Sequence, residues 1–137
     1  SIDPDVREMV KERVRETVRG VASGFGVEAE VDIQTGYPSL SNHAGATALI
    51  EKAGGEILGA ENVLPAPLSL GSEDFAYMAQ QRLAAIFRLG IRNEERGIVH
   101  GLHNNRFDVD EDVLPKGVSI FVQAVREFLA DPESYTS

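Results

Sequence analysis

The feature that most constrains this chain is a run of strict alternation with no obvious neighbour to pair with. In residues 27–35, Val27, Ala29, Val31 and Ile33 face one way, and Glu28, Glu30, Asp32 and Gln34 face the other. That is the pattern of a half-buried strand of an antiparallel sheet with one wet face. Upstream, Val6, Val10, Val14, Val18, Ala22 and Phe25 recur at helical spacing and predict a helix over 4–24 with one apolar stripe. Asp3 is placed to cap it, Pro4 suits its first position, and Gly24 and Gly26 end it. Glu8, Glu12 and Glu16 each have a cation three residues on (Lys11, Arg15, Arg19), which gives weak support and a solvated face. A helix and one strand cannot make a stable layer alone. This part of the chain must borrow a sheet.

Gly36-Tyr37-Pro38-Ser39 breaks the alternation and marks a domain boundary, giving parts 1–37 and 38–137. The second part begins with a helix from about His43 to Leu58, capped by Ser41 or Asn42 and weakened in its middle by Gly54-Gly55. Residues 63–70 are apolar but interrupted by Pro65 and Pro67, at best an edge strand. A short helix opens at Ser72 and runs to about Gln80. Residues 84–90 read as a buried strand and 91–105 as loop. A last helix spans about Pro115 to Ala130, with Val118, Phe121, Val122, Val125, Phe128 and Leu129 as its stripe and Pro132 as its stop. Helices alternating with strands imply helices packed on a sheet, an α/β class. There are no repeats or low-complexity tracts.

Bulk properties narrow the function. The net charge of -9 repels phosphate backbones, so no nucleic acid is expected as a partner. No apolar run approaches the ~20 residues of a membrane span, so no membrane is expected either. No basic-then-apolar leader opens the chain, and its start without Met suits a processed or trimmed product. The absence of Cys removes disulfides, thiolate metal sites and thiol nucleophiles, and fits a cytoplasmic location.

Few residues suggest chemistry. In Gly71-Ser72-Glu73-Asp74-Phe75, Ser72 can cap the following helix while the two acids sit against its positive end. Alternatively, those carboxylates point into a cleft and orient a substrate or a metal-bound His. His103 lies in a polar loop after a strand, a good place for a neutral imidazole to bind a metal. Asp108, Asp110 and Glu111 lack the ligand spacing and turn glycine of an EF-hand loop, and serve as well as acids preceding the final helix. His43 and His100 have no partner at metal-ligand spacing. No nucleophile elbow, phosphate loop or dinucleotide fingerprint occurs.

Taken in order, the motifs resemble one family. Gly71-Ser72-Glu73-Asp74-Phe75-Ala76-Tyr77 is followed by a strand ending in Leu89-Gly90. Then come His103, the run Phe107-Asp108-Val109-Asp110-Glu111, and Gly117 in a terminal helix. This resembles the C-terminal signature of the zinc amidohydrolases that include hippurate hydrolase, N-acyl-amino-acid hydrolases (aminoacylases) and, more distantly, glutamate carboxypeptidase. The Asp-Pro-Asp-Val-Arg helix start, the Val-Glu-Ala-Glu-Val run and the Tyr-Pro exit toward Asn42 resemble the last part of that family's inserted lid.

The resemblance implies the C-terminal part of a catalytic α/β domain that binds two divalent ions. It would be preceded by the last helix and strand of an inserted α+β lid that commonly mediates dimerisation. His103 is similar to the family's last metal ligand, and Glu73 and Asp74, beside Ser72, match an acidic pair near the active-site floor. The family's other ligands, its catalytic Glu and its lid His precede the matched region. Its frequent Ser-Pro after the ligand His is Asn104-Asn105 here. The implied activity is cleavage of the amide bond of an N-acyl amino acid or small peptide, using zinc or another divalent metal in the complete enzyme. This chain alone is expected to bind no such metal and to be inactive. The alternative is a non-catalytic fragment that self-associates through unpaired strand edges at Val27–Gln34; in either case a homo-oligomer is expected.

Overall fold

A computed structural model of the chain describes residues 3–136. Its residues divide by contact into two units. One comprises residues up to Ser41 together with Leu68–Arg82; the other comprises Asn42–Pro67 and the residues from Leu83 onward.

In the first unit, α1 spans Pro4–Gly24. The Asp3 carboxylate accepts from the Asp5 amide at 2.8 Å and the Val6 amide at 3.2 Å, satisfying two of the helix's free N–H groups. Gly26, at φ 67°, turns the chain after the helix. Lys11 pairs with Glu8 at 2.6 Å and Arg15 with Glu12 at 3.3 Å, as the spacing predicts; Glu16 instead pairs backwards with Arg13 at 2.8 Å. The apolar stripe differs from expectation. Ala22 is buried and Val18 half-buried, but Val6, Val10 and Val14 are 41–47% exposed and Phe25 is 81% exposed. The following segment instead meets the basic row of α1. Arg7 donates to the Tyr37 carbonyl and Lys11 to the Thr35 hydroxyl, each at 3.0 Å. A short helix α2, Phe75–Ala79, completes the unit, with Tyr77 edge-on to Tyr37 at a ring separation of 5.8 Å.

In the second unit, α3 (Ala44–Leu58) packs on α4 (Leu114–Ala130) around Ala53, Ile120 and Ala124, flanked by Leu49, Leu58 and Phe87. The cap of α3 is His43, whose Nδ1 faces the Ala46 amide at 3.4 Å, rather than Ser41 or Asn42. Glycines in the two helices let other segments approach them closely. A methyl group on Gly117 would lie 2.9 Å from the Leu89 side chain, and one on Gly45 would lie 2.2 Å from the Tyr135 carbonyl oxygen. The buried face of α4 is therefore Gly117, Ile120 and Ala124, not the expected stripe. Val118, Phe121, Val122, Val125 and Leu129 are 53–72% exposed. The helix is apolar on two sides, and α3 takes the smaller-featured one because it allows closer approach. Lys52 with Glu127, and Gln123 with Glu56 and Glu127, tie the rim of the pair.

The segments expected as strands, 27–35, 63–70 and 84–90, form no ladder. Among the described residues the sole β pairing is an isolated antiparallel bridge between Asn93 and Ile98. Alternation specifies which face of a segment is apolar, but a ladder also needs a second backbone. Among the described residues the buried apolar side chains are Ala22, Ala53, Ala76, Ile120 and Ala124, a core of small groups. No helix among them is long and apolar enough to cross a membrane.

Candidate functional site

Two segments carry the chemically suggestive residues, one in each unit. In the first, the chain approaches α2 through exposed residues 68–72. Ser72 does not cap the helix. The half-buried Glu73 turns back, its Oε1 accepting from the Phe75 amide at 3.3 Å, while its carbonyl accepts from Ala76. Asp74 occupies the cap position with no side-chain capping bond, and its carbonyl accepts from Tyr77 at 3.0 Å. The anchor is Ala76, fully buried, two residues beyond. The result is an exposed Asp74 carboxylate beside a Glu73 partly committed to its own backbone.

In the second unit, His103 is exposed and has φ 63°, unique among non-glycine residues described here in lying in the left-handed region. A residue other than Gly adopts this conformation at a cost of about 1 kcal/mol or more, which a constrained loop must offset. The turn that follows is held locally. Asn104 accepts from the Arg106 amide through its side chain at 2.9 Å and from the Phe107 amide through its carbonyl at 3.0 Å.

The acids downstream of His103 have a structural role. Asp110 is buried, and its carboxylate accepts from Asn93 at 2.7 Å, from Arg96 at 2.6 Å and from the Asp112 amide at 3.3 Å. Arg96 also reaches Asp112 at 2.5 Å. The Asn93 hydrogen bond foremost, with the Asp112 amide and the Arg96 charge, holds the Asp110 carboxyl below the usual carboxylate range, against the opposing effect of burial. This knot ties the 93–98 hairpin, turned by Gly97 at φ 73°, to the start of α4. Asp108 caps only the neighbouring Val109 amide. The structure therefore gives Asp110 a satisfied ion-pair network and not a calcium loop.

Sequence reasoning offered Asn42 only as a helix cap, yet its side-chain amide mimics a strand neighbour. Nδ2 donates to the Ile86 carbonyl at 2.9 Å and Oδ1 accepts from the Ile86 amide at 3.0 Å, while the His43 amide donates to the Ala84 carbonyl at 2.9 Å. An Asn just before a capped helix and opposite an apolar run was the available signal. Of the other histidines, His43 is occupied as a helix cap and His100 is half-buried.

A zinc centre takes at least three protein ligands. Among the described residues no three His, Asp or Glu side chains are grouped so as to hold a metal ion. The residues present do not fit a complete metal site.

Comparison with known proteins gives the context. The model of peptidase family M20/M25/M40 matches residues 2–127. The chain is 33% identical over 129 residues to the IAA-amino acid hydrolase ILR1-like 6 of Arabidopsis thaliana, covering 91% of this chain and 28% of that protein. It is 33% identical over 118 residues to thermostable carboxypeptidase 1 of Saccharolobus solfataricus, covering 85% of this chain and 29% of that protein. The chain thus spans less than a third of the length of these curated relatives. No solved structure matches.

Proposed function

The chain belongs to peptidase family M20/M25/M40, and we propose that it is the C-terminal portion of a metal-dependent amidohydrolase that cleaves the amide bond of N-acyl amino acids or small peptides. The observation that carries this is the family match across residues 2–127, together with relatives named as an amino-acid-conjugate hydrolase and a carboxypeptidase. Enzymes of the family are generally metal-dependent. In this reading residues 1–37 end the inserted lid and residues 38–137 end the α/β catalytic domain. His103 supplies one ligand to zinc or another divalent ion, and its left-handed backbone supports this reading, because residues held in such conformations cluster at active sites and ligand clamps. Asp74, Glu73 and Ser72 orient the metal-bound imidazole or the substrate. The remaining ligands and the catalytic Glu come from residues outside this chain, so the isolated chain is inactive.

The test is reconstitution with the polypeptide encoded upstream of Ser1. The complex is expected to bind zinc and to hydrolyse N-acyl amino acids, and His103→Ala is expected to weaken metal affinity by about tenfold to a hundredfold or more. Unchanged metal affinity and hydrolysis in the His103→Ala complex would remove His103 from the site.

A second reading, in which the chain acts as a self-associating fragment, is favoured by one observation. The alternating segment from Val27 onward has no ladder partner, and Val27 itself is 59% exposed.

A further inference from the structure

The helix that follows the acidic pair is too short to hold its own shape. It has five residues, Phe75–Ala79, and its cap position, Asp74, makes no side-chain capping bond. Isolated helices shorter than ~12–15 residues are marginal in water, so a turn of this length is ordered by what it packs on. The approach to it, residues 68–72, is exposed, and Met78 within it is exposed as well. Its local bonds are those of a single turn. The Phe75 amide donates to the Glu73 carboxylate at 3.3 Å, the Ala76 amide to the Glu73 carbonyl at 3.3 Å, and the Tyr77 amide to the Asp74 carbonyl at 3.0 Å. Beyond these, Ala76 is fully buried and the Tyr77 ring meets the ring of Tyr37, forty positions upstream.

Tyr37 is itself held from the other side. Its ring and that of Tyr77 have centroids 5.8 Å apart and planes at 77°, the arrangement that sets the positive edge of one ring against the negative face of the other. The Tyr37 carbonyl accepts from Arg7 of α1 at 3.0 Å, and two residues back the Thr35 hydroxyl oxygen accepts from Lys11 at 3.0 Å. The Lys11 side chain is 13% exposed, so most of it is covered. Pro38 follows and confines Tyr37 to extended backbone. A continuous series of contacts therefore runs from the capped, 21-residue α1 through Tyr37 and Tyr77 to the turn that bears Glu73 and Asp74, all within the first unit.

We propose that Tyr77 and Tyr37 are positioning residues: their ring contact fixes the turn on which the Glu73 and Asp74 carboxylates stand, and so ties the acidic pair to α1. An edge-to-face pair shifts an equilibrium about two- to tenfold, which is decisive for a turn that is marginal by itself. The contact uses ring edges and faces and no hydroxyl, so Phe serves at either place and an aliphatic side chain does not. Its effect on catalysis rests on the reading of Glu73 and Asp74 as the groups that orient the substrate or a metal-bound imidazole.

Amide hydrogen exchange in the 137-residue chain tests the contact without any hydrolysis. In Tyr37→Leu the Phe75 and Tyr77 amides are expected to exchange about two- to tenfold faster, while the Val14 amide of α1 and the Ala124 amide of α4 keep their rates. Tyr37→Phe is expected to match the unchanged chain. Tyr77→Leu, read at the Phe75 amide, is expected to show the same loss, and the double variant no more than either single one. Unchanged exchange at Phe75 and Tyr77 in Tyr37→Leu would overturn the proposal. So would equal acceleration at Val14, which would give Tyr37 a share in the stability of the whole unit and no special hold on the turn. In the polypeptide encoded by the complete reading frame, Tyr37→Leu is expected to lower kcat for an N-acyl amino acid about two- to tenfold at unchanged metal content, with Tyr37→Phe restoring it. Active enzyme with an unchanged kcat in Tyr37→Leu would also overturn it. Altered exchange in a polypeptide that hydrolyses nothing sinks the enzymatic reading and leaves the contact standing.

Discussion

At the scale of single residues, glycines and one buried carboxylate carry most of the stored information. Gly45 and Gly20 are both helical, but a methyl group on Gly20 meets nothing within 4 Å, whereas one on Gly45 would overlap the Tyr135 carbonyl. Helix propensity favours Ala over Gly by about 1 kcal/mol in either place. At Gly45 that gain is outweighed by overpacking of about 1–3 kcal/mol against backbone, which cannot swing aside as a flexible side chain would. Gly20→Ala is therefore expected to stabilise and Gly45→Ala to destabilise or to undock the C-terminal turn, as read by chemical denaturation. Asp110 makes a pH prediction. Its carboxyl is depressed in the folded state, so the unfolded chain binds the proton more readily. Its contribution is complete above the unfolded value of about 4 and is lost as pH falls through the lower native value. Urea unfolding from about pH 6 to about pH 3 should show the native protein losing stability, with a shallower loss in Asp110→Asn, which starts from a lower Tm at neutral pH. Identical pH slopes in the two proteins would contradict the assignment.

At the scale of elements, boundaries were legible where their determinants are local. The helix Pro4–Gly24 was readable in full because Asp3, Pro4 and the Gly24–Gly26 exit are contiguous with it. The cap of α3 was misread because Asn42, the better capping residue, is occupied by Ile86, forty-four positions away. Face selection on α4 was also misread: size and hydrophobicity pointed to Val118, Phe121, Val122 and Val125, but the buried face is Gly117, Ile120 and Ala124, with α3 packed on Ile120 and Ala124. Ile120 is 3% exposed and Phe121 is 61% exposed. Ile120→Ala should cost about 2–3 kcal/mol, and Phe121→Ala about 1 kcal/mol or less, in unfolding free energy. Comparable costs would mean that the outer face of α4 is covered in solution.

At the scale of the whole molecule, two contact units built around alanines carry extended segments without ladders. A self-associating fragment would relieve this at the Val27–Gln34 edge, and light scattering should then give a mass above that of one chain; a strictly monomeric, well-folded species removes that reading. Much was settled by local patterning. Helix positions, the exclusion of thiol chemistry and the family's ordered motifs all depend on residue type and spacing along the chain. Other features needed the folded structure: the two-sidedness of α4, the Asn42 clasp, the Asp110 knot and the left-handed backbone of His103. Each is an encounter between residues distant in sequence, or a backbone angle that such encounters impose. Spacing along a chain specifies which surfaces seek cover, and only packing in three dimensions decides which of them find it.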